Sequence, residues 1–250
     1  MANIVKNILF AAILAFIVSC GSTTKTPEAN TAESVFNKGL AAFKDEEWLE
    51  AQNLFDVINL QYPASQFADD AQYYIAECGY KRKEYVMAAF NFNRLYRTYP
   101  RSEYAKSSLY KAALCYFELS PDCDRDQEYT TKAIAAFSTF QAFYPMDSLS
   151  KEASSKIVDL RNKLAERSFN TAVLYKKIYS PNSSIIYYDE VINNFPDSKF
   201  CESAFIGKIE TLIQMKKTSD AKSIIEVYKK TYPSGSKIDY VKNLEVNLPK

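Results

Sequence analysis

Apolar and polar residues alternate with helical spacing along most of the chain, and five aromatic-proline dipeptides interrupt that spacing. In all five segments a small residue lies twelve positions before the proline and a large residue lies eight positions before it. Residues four apart share a helix face, so each pair places a small side chain beside a large one where another helix crosses. Proline then ends the helix, because it lacks an N–H and restricts the residue before it. The five sets are Ala51/Phe55/Pro63, Ala88/Phe92/Pro100, Ala133/Phe137/Pro145, Ser184/Tyr188/Pro196 and Ala221/Ile225/Pro233.

Another helix precedes each of these five helices. A shift of 37 residues overlays Tyr73 on Tyr110 and Cys78 on Cys115, so the preceding helices repeat as well. A serine lies two positions after three of the prolines, as Ser65, Ser102 and Ser198. Serine is a preferred N-cap, and we expect these three to cap the helix that follows. The pattern therefore predicts a tandem array of helix-turn-helix units.

The array resembles the tetratricopeptide repeat, whose pattern is met most fully by Gly39, Ala51, Phe55 and Pro63. We expect an all-α, right-handed superhelical solenoid of five such repeats over residues 32–235, followed by a C-terminal tail at residues 236–250. Two segments depart from the pattern. A polar insertion, residues 120–127, separates the two helices of repeat three, and a long helix from about Leu149 to Tyr179 begins repeat four.

The first 31 residues carry a sorting signal and a linker. Lys6 precedes an apolar run from Ile8 to Val18, which is shorter than the roughly 20 residues that span a bilayer, so residues 1–19 are predicted to be a signal peptide. Residues 17–20, Ile-Val-Ser-Cys, resemble the bacterial lipobox, which implies cleavage before Cys20 and its acylation, for example with palmitate. Ordinary secretory cleavage is the alternative. Residues 20–31 then form the acylated cysteine and a flexible tether, and Gly21 favours the outer membrane, facing the periplasm, by analogy with enteric bacteria.

Composition argues against catalysis and against nucleic acid as a partner. The chain has no histidine, which excludes a Ser-His or Cys-His nucleophile and a histidine-ligated zinc site. Its five glycines form no phosphate-binding motif. Adjacent carboxylates such as Asp69 and Asp70 are typical of a solvated helix face, and the net charge of +1 offers no polyanion-binding field. We expect no catalytic, cofactor-binding or metal site. Cys78, Cys115, Cys123 and Cys201 are expected to be free thiols, Cys123 the most reactive, although disulfides can form in this compartment.

These features together resemble the BamD family of outer-membrane β-barrel assembly lipoproteins. The most specific similarity is Asp124-Arg125-Asp126-Gln127 followed by Ala135-Ala136-Phe137-Ser138, and the resemblance covers about residues 32–235. It implies a non-enzymatic scaffold of the Bam complex. The second half would bind the periplasmic domains of the barrel-forming subunit, and the first half would bind unfolded barrel proteins through their C-terminal strand. The alternative is a periplasmic repeat protein that coordinates cell-wall synthesis with envelope constriction, but such proteins usually lack a lipid anchor.

Helical spacing also gives a candidate protein-binding groove on the first helices of repeats one and two. In tetratricopeptide arrays these helices line the concave face. The spacing of three and four residues places one set of side chains on a common face, and the second set repeats it one unit later. The competing interpretation is that this stripe belongs to the core. The groove residues are Phe36, Leu40, Phe43, Tyr73, Glu77 and Tyr80.

Overall fold

The structure is a computed structural model that describes residues 31–248, and these residues form eleven α-helices and no strand. The predicted signal peptide, Cys20 and the tether up to residue 30 lie outside the described residues. The all-α prediction is confirmed for the rest. Helices α1 to α11 are Ala32–Lys44, Trp48–Gln61, Ala68–Lys81, Tyr85–Thr98, Ala105–Leu119, Glu128–Phe143, Ser148–Lys177, Pro181–Asn194, Cys201–Gln214, Thr218–Thr231 and Ile238–Val246.

The helices form a solenoid because each packs mainly on the helix before it and the helix after it. The first and second helices of the five repeats are α1/α2, α3/α4, α5/α6, α7/α8 and α9/α10. The predicted small-large pairs lie at the centre of this packing. Ala51 and Phe55 of α2, and Ala88 and Phe92 of α4, have no exposed surface. A chain of such local contacts buries a continuous core without pairing distant segments.

Four of the five repeats make the same turn between their two helices. One residue in each turn is left-handed, with φ between 58° and 62°, and it is never glycine. The next residue donates its N–H to the carbonyl five positions back at 2.8–2.9 Å, which closes a Schellman motif at the end of the first helix. These left-handed residues are Glu46, Lys83, Tyr179 and Lys216, each seventeen positions before its repeat's proline.

The serines after the prolines do not cap helices, so that prediction is wrong. Ser65 Oγ accepts the N–H of Phe67 at 3.3 Å and Ser102 Oγ accepts that of Tyr104 at 3.2 Å, but the helices begin only at the next residue. The serine stabilises a short turn that presents an aromatic residue to the preceding repeat. Among the residues that follow the prolines, Asp147 does cap its helix, accepting the N–H of Leu149 at 2.9 Å.

Both predicted departures from the repeat are present. The insertion forms a loop between α5 and α6, and the long helix α7 has 30 residues. The C-terminal segment forms a helix as well, since α11 lies within the predicted tail and buries Val241 against the last repeat. Lys229 of α10 also pairs with Glu245 of α11 at 2.8 Å. The packed body therefore continues beyond residue 235. Within residues 31–248 no helix is long and apolar enough to cross a membrane.

Candidate functional site

The predicted groove residues of α1 pack towards the interior of the first repeat. Phe36 is 8% exposed and stacks on Phe67 with ring centroids 5.0 Å apart. Leu40 and Phe43 are partly buried against the same cluster, and the ring of Phe43 lies 4.9 Å from that of Trp48. The core interpretation is thus correct for Phe36, which is not available to a ligand. Leu40 and Phe43 remain only partly exposed to solvent.

The predicted residues of α3 belong to a different cluster, between repeats two and three. Tyr73 and Tyr80 pack at the edge of the core around Phe92 and remain partly exposed to solvent. Tyr73 stacks on Tyr104 at 4.2 Å, and Tyr80 meets Tyr85 edge-on at 5.3 Å. The six predicted residues therefore line two separate places. Tyr73, Glu77 and Tyr80, all on α3, remain one candidate surface.

Glu77 is paired across the repeat boundary. Its side chain is 9% exposed and it forms an ion pair with Lys111 of α5, whose ammonium also lies 5.3 Å above the ring of Tyr73. Burial alone lowers the pKa of Lys111, but the Glu77 carboxylate and the Tyr73 phenol outweigh it and leave the pKa raised. Burial, followed by the charge of Glu77, raises the pKa of Tyr73. This network places the Lys111 ammonium, paired with the Glu77 carboxylate and partly exposed, above the ring of Tyr73.

Acidic groups lie on the other side of the tyrosine stack. Burial and the neighbouring Asp69 and Glu103 raise the pKa of Asp70 to about 6. Burial also raises the pKa of Tyr104 to about 12, with Tyr74 and Asp70 adding to the shift. The stack of Tyr73 and Tyr104 thus separates an ammonium from a group of carboxylates. Such a surface suits an aromatic side chain flanked by a charged group.

Sequence reasoning missed Lys111 and Tyr104. The shift of 37 residues places Lys111 at the position of Tyr74, so the repeat pattern gave no reason to pair it with Glu77. Tyr104 is the residue after Pro-Arg-Ser-Glu in the turn, and its equivalent is Phe67. The sequence signal that could have identified Tyr104 is the pair of aromatic residues, Phe67 and Tyr104, at equivalent turn positions. In the structure each stacks on the first helix of the preceding repeat.

A second surface forms where the inserted loop meets the long helix. Lys163 of α7 donates to the carbonyl and hydroxyl oxygens of Ser120 at 3.2 and 2.7 Å, and Arg167 donates to the carbonyl of Arg125 at 3.0 Å. The buried amide of Gln127 donates to the carbonyls of Asp122 and Arg125 at 2.7 and 3.0 Å. The loop is therefore held in one shape, and its three aspartates are exposed.

Beside this loop lies a cavity of about 470 Å³ between α7 and α8. It is lined by Gln127, Leu164, Arg167, Ser168, Thr171, Tyr187, Glu190 and Phe195. A smaller cavity of about 300 Å³, which includes Cys123, Asp124 and Leu174, shares Arg167 and Thr171 with it. The two form one groove. Its walls exist only because repeat three has an insertion and repeat four has a long first helix.

Metal and thiol chemistry have no obvious place in the described part of the chain. No group of three or more aspartate, glutamate or cysteine side chains among residues 31–248 could hold a metal ion. Cys78, Cys115 and Cys201 are buried free thiols, and Cys123 is partly exposed. Burial raises the pKa of Cys78 and of Cys115 to about 12, which keeps both protonated and unreactive.

Comparison with known sequences assigns the chain to a family. Residues 28–216 match the sequence profile of a family described as outer membrane lipoprotein, YfiO. This match covers most of the chain, so the protein belongs to a family of helical-repeat outer membrane lipoproteins. The curated relatives identify that family more closely as BamD.

Two of these relatives show the extent of the similarity. A protein of Caulobacter vibrioides named outer membrane protein assembly factor BamD is 24% identical over 86% of this chain and 72% of its own length. A protein of Aquifex aeolicus, provisionally given the same name, is 27% identical over 74% of this chain, and this chain spans 61% of its length. A tetratricopeptide repeat protein of Parabacteroides merdae is 13% identical, with a TM-score of 0.40 over 86% of this chain and 97% of its own.

Proposed function

We propose that the protein is a lipid-anchored scaffold of the outer-membrane β-barrel assembly machinery, facing the periplasm. It binds the barrel-forming subunit and receives unfolded barrel proteins for folding and insertion. Membership of the BamD family is the observation that carries this proposal. The same membership favours an assembly role over the coordination of cell-wall synthesis. We propose no catalytic activity for the protein.

We place the binding of unfolded barrel proteins on the α3 surface. Tyr73 and Tyr80 offer partly exposed rings, and the ammonium of Lys111 lies beside them. A C-terminal strand ends in a carboxylate, and aromatic side chains close to that end would stack on the tyrosines. Phe36 is excluded from this surface by its burial, and Leu40 and Phe43 pack beside it in the first repeat.

Fluorescence anisotropy with an aromatic-ended C-terminal peptide of a barrel protein tests the α3 surface. The variant Tyr73→Ala/Tyr80→Ala is expected to weaken binding by about 1 to 3 kcal/mol. Because both rings also touch the core, a loss of stability is expected, and the folded fraction is checked by circular dichroism at the assay temperature. Tyr129→Ala, a partly exposed tyrosine of α6, is the matched control. Equal binding by the folded double variant would remove these residues from the site.

We place the docking of the barrel-forming subunit on the groove between the inserted loop and α8. The groove combines the apolar side chains of Leu164, Tyr187 and Phe195 with polar ones that include Arg167 and Glu190, a combination suited to a folded domain that presents a charged loop. The variant Arg167→Glu reverses the exposed charge and removes the bond to the loop carbonyl. Affinity purification from detergent-solubilised envelope should then recover less barrel-forming subunit than the wild type does. Full recovery would remove Arg167 from the interface.

The lipid anchor is tested independently. Cys20→Ser is expected to leave a folded protein that fractionates away from the membrane, because the acyl chains supply the membrane affinity. Intact mass of the wild type provides the direct measurement. A mature mass without added acyl chains would contradict the anchor while leaving the scaffold proposal open to the co-purification test.

A further inference from the structure

The second helix of repeat two carries an exposed row of basic and apolar side chains, which we call the α4 stripe. Its members within α4 are three and four residues apart and therefore share one face of the helix. One basic residue in each flanking turn continues the same spacing. All six side chains are exposed, and Met87 and Phe90 are 55% and 53% exposed. The stripe consists of Lys83, Met87, Phe90, Arg94, Arg97 and Arg101.

The basic side chains of the α4 stripe are not neutralised by ion pairs. None of the four forms an ion pair within residues 31–248. Arg94 acts at a distance on Asp56 of α2: burial raises the pKa of Asp56, and the hydrogen bond from Gln52 and the charge of Arg94 partly offset that rise. Helix α4 itself contains no aspartate or glutamate. The stripe therefore presents cations and apolar groups together.

The second helices of the other repeats lack this combination at the equivalent positions, counted from each repeat's proline. Each of them has at least one acid there. The contrast is sharpest in repeat four, where Glu190 and Asp197 replace Arg94 and Arg101. The charge of the stripe is thus a property of repeat two and not of the repeat pattern. The other acids are Glu46 and Glu50 in repeat one, Glu128 in repeat three and Asp220 in repeat five.

Apolar side chains of repeat three border the arginine end of the α4 stripe. The ring of Tyr96, the residue before Arg97, lies 6.1 Å from the ring of Phe143 at the end of α6. Phe143 is 60% exposed, and Met146, three residues later, is 96% exposed. Val86 adds an apolar side chain, 52% exposed, at the other end of α4. Large apolar side chains grouped in this way mark an interaction surface.

The chemistry of this surface fits the headgroup region of a phospholipid bilayer. A helix that lies in this region buries apolar side chains about 5–10 Å deep and keeps basic side chains among the anionic headgroups. Arginine suits this role because its guanidinium can donate two parallel hydrogen bonds to one phosphate. A carboxylate on the same face would be repelled by the headgroups, and the α4 stripe has none.

The predicted anchor at Cys20 would bring the α4 stripe to a bilayer. Residues 21–31 separate Cys20 from α1, and eleven residues span at most about 40 Å. Helix α4 is the third helix after α1, and three packed helix pairs extend over about 24–30 Å. The stripe is therefore within reach of the lipid that holds the protein. Such a connection gives an effective concentration on the order of millimolar, so a weak contact suffices.

We propose that the α4 stripe binds anionic phospholipid headgroups and so orients the anchored solenoid with α4 against the bilayer. The inference rests on the lipid anchor of the proposed function. The contact orients the protein and does not hold it, since the acyl chains supply the lasting attachment. The buried face of α4 packs on α3 and α5, so this orientation turns the α3 surface away from the bilayer.

Tryptophan fluorescence of the mature, acylated protein in vesicles tests the proposal. The vesicles contain phosphatidylethanolamine and phosphatidylglycerol whose acyl chains are brominated near the headgroup, because bromine quenches an inserted indole. Phe90→Trp should be quenched at least about twofold more than the wild type, whose single tryptophan, Trp48, gives the baseline. Ile186→Trp is the matched control, since Ile186 is 65% exposed at the equivalent position of α8 and should show the baseline only. In brominated phosphatidylcholine the quenching of Phe90→Trp should decrease.

Charge reversal at equivalent positions of two repeats separates the stripe from net charge. In the Phe90→Trp background, Lys83→Glu/Arg97→Glu should weaken the contact at least about 25-fold, since each basic side chain near an anionic bilayer contributes about fivefold. Lys216→Glu/Lys230→Glu makes the same change in repeat five and should leave the quenching unchanged. Glutamate occurs naturally at the left-handed position in repeat one, so the fold tolerates it there. Raising the salt concentration should weaken the contact.

Three outcomes would overturn the proposal. The first is quenching of Phe90→Trp no greater than the baseline, and the second is an equal effect of the two charge reversals. The third is no quenching by lipid together with a loss of an acidic envelope protein from purified Lys83→Glu/Arg97→Glu, which would make the stripe a protein-binding surface. Intact mass of the same sample shows separately whether the anchor is present. Protein without acyl chains is measured at excess vesicles, where the same order of variants is expected.

Discussion

The ion pair between Glu77 and Lys111 links repeats two and three, and its removal gives a prediction with a defined size. In Lys111→Met the stem of the side chain is kept and the ammonium is lost. The carboxylate of Glu77, 9% exposed, then remains without its partner. Breaking a buried pair in this way typically costs 3–5 kcal/mol. Lys111 is 31% exposed, so water can reach the carboxylate, and we expect a loss of about 3 kcal/mol.

The double variant Glu77→Gln/Lys111→Met separates the pair from the cost of an unpaired charge. It removes both charges and leaves an amide that can still bond with Tyr73. We expect the free energy of unfolding of the double variant to lie within about 1 kcal/mol of that of the wild type, so that the effects of the two single changes are strongly non-additive. Urea unfolding followed by circular dichroism gives the free energy of unfolding. Hydrogen exchange of α3 and α5 identifies where stability is lost, because solenoids can unfold in stages.

An exposed pair provides the matched control. Lys132 and Glu128 are 48% and 63% exposed and lie one helical turn apart on α6. Lys132→Met should change the free energy of unfolding by no more than about 0.5 kcal/mol, because water and salt screen exposed pairs. If Lys111→Met costs no more than Lys132→Met, or if the double variant loses the sum of both single losses, the pair does not connect the two repeats energetically.

Three further changes test other parts of the structure by thermal and urea unfolding. Ala88→Glu should destabilise the protein by several kcal/mol, because the Cβ of Ala88 is buried against Gly79. An unchanged melting temperature would contradict the packing of α4 on α3. Asp70→Asn should stabilise the protein by about 1 kcal/mol at pH 7 but not near pH 4. The pKa of Asp70 is about 6 in the folded protein, above that of the unfolded chain, so ionisation of this carboxyl opposes folding only at the higher pH. A gain in stability that persists at pH 4 would refute this reasoning. Lys83→Gly should stabilise the protein by about 0.5 to 1 kcal/mol by relieving a left-handed residue, whereas Lys81→Gly within α3 should destabilise it by about 1 kcal/mol.

The repeats could be predicted because each is specified by local spacing. The small and large residues at fixed distances before each proline identify the second helices, and both members of the pair are buried in α2 and α4. The insertion and the long helix could be found for the same reason, as interruptions of a regular spacing. The hydrogen bonding of the turns was harder to predict from the sequence. A serine two positions after proline can cap a helix or a turn, and the choice depends on the aromatic residue that follows and packs on the preceding repeat.

The groove remains a prediction, and helical spacing could not show which of its residues are buried, because spacing identifies a face of a helix but not what packs against that face. Phe36, Leu40 and Phe43 do share a face of α1, yet that face turns towards α2 and α3. The corresponding face of α3 carries Tyr73, Glu77 and Tyr80 at a boundary that is partly open. An end helix and an internal helix with the same spacing therefore differ in exposure. Only the position of the next repeat distinguishes them.

The insertion in repeat three and the long helix of repeat four are a single structural feature, although they lie far apart in the sequence. The loop has no core of its own, and its shape depends on bonds from Lys163 and Arg167 on the middle turns of α7. An ordinary repeat helix of about 14 residues starting at Ser148 would end near residue 161 and would reach neither position. The extra length of α7 thus supplies both the support for the loop and the floor of the groove beside it. A shortened α7 would lose the shape of the loop and the groove together, so we expect these two departures from the repeat to depend on each other.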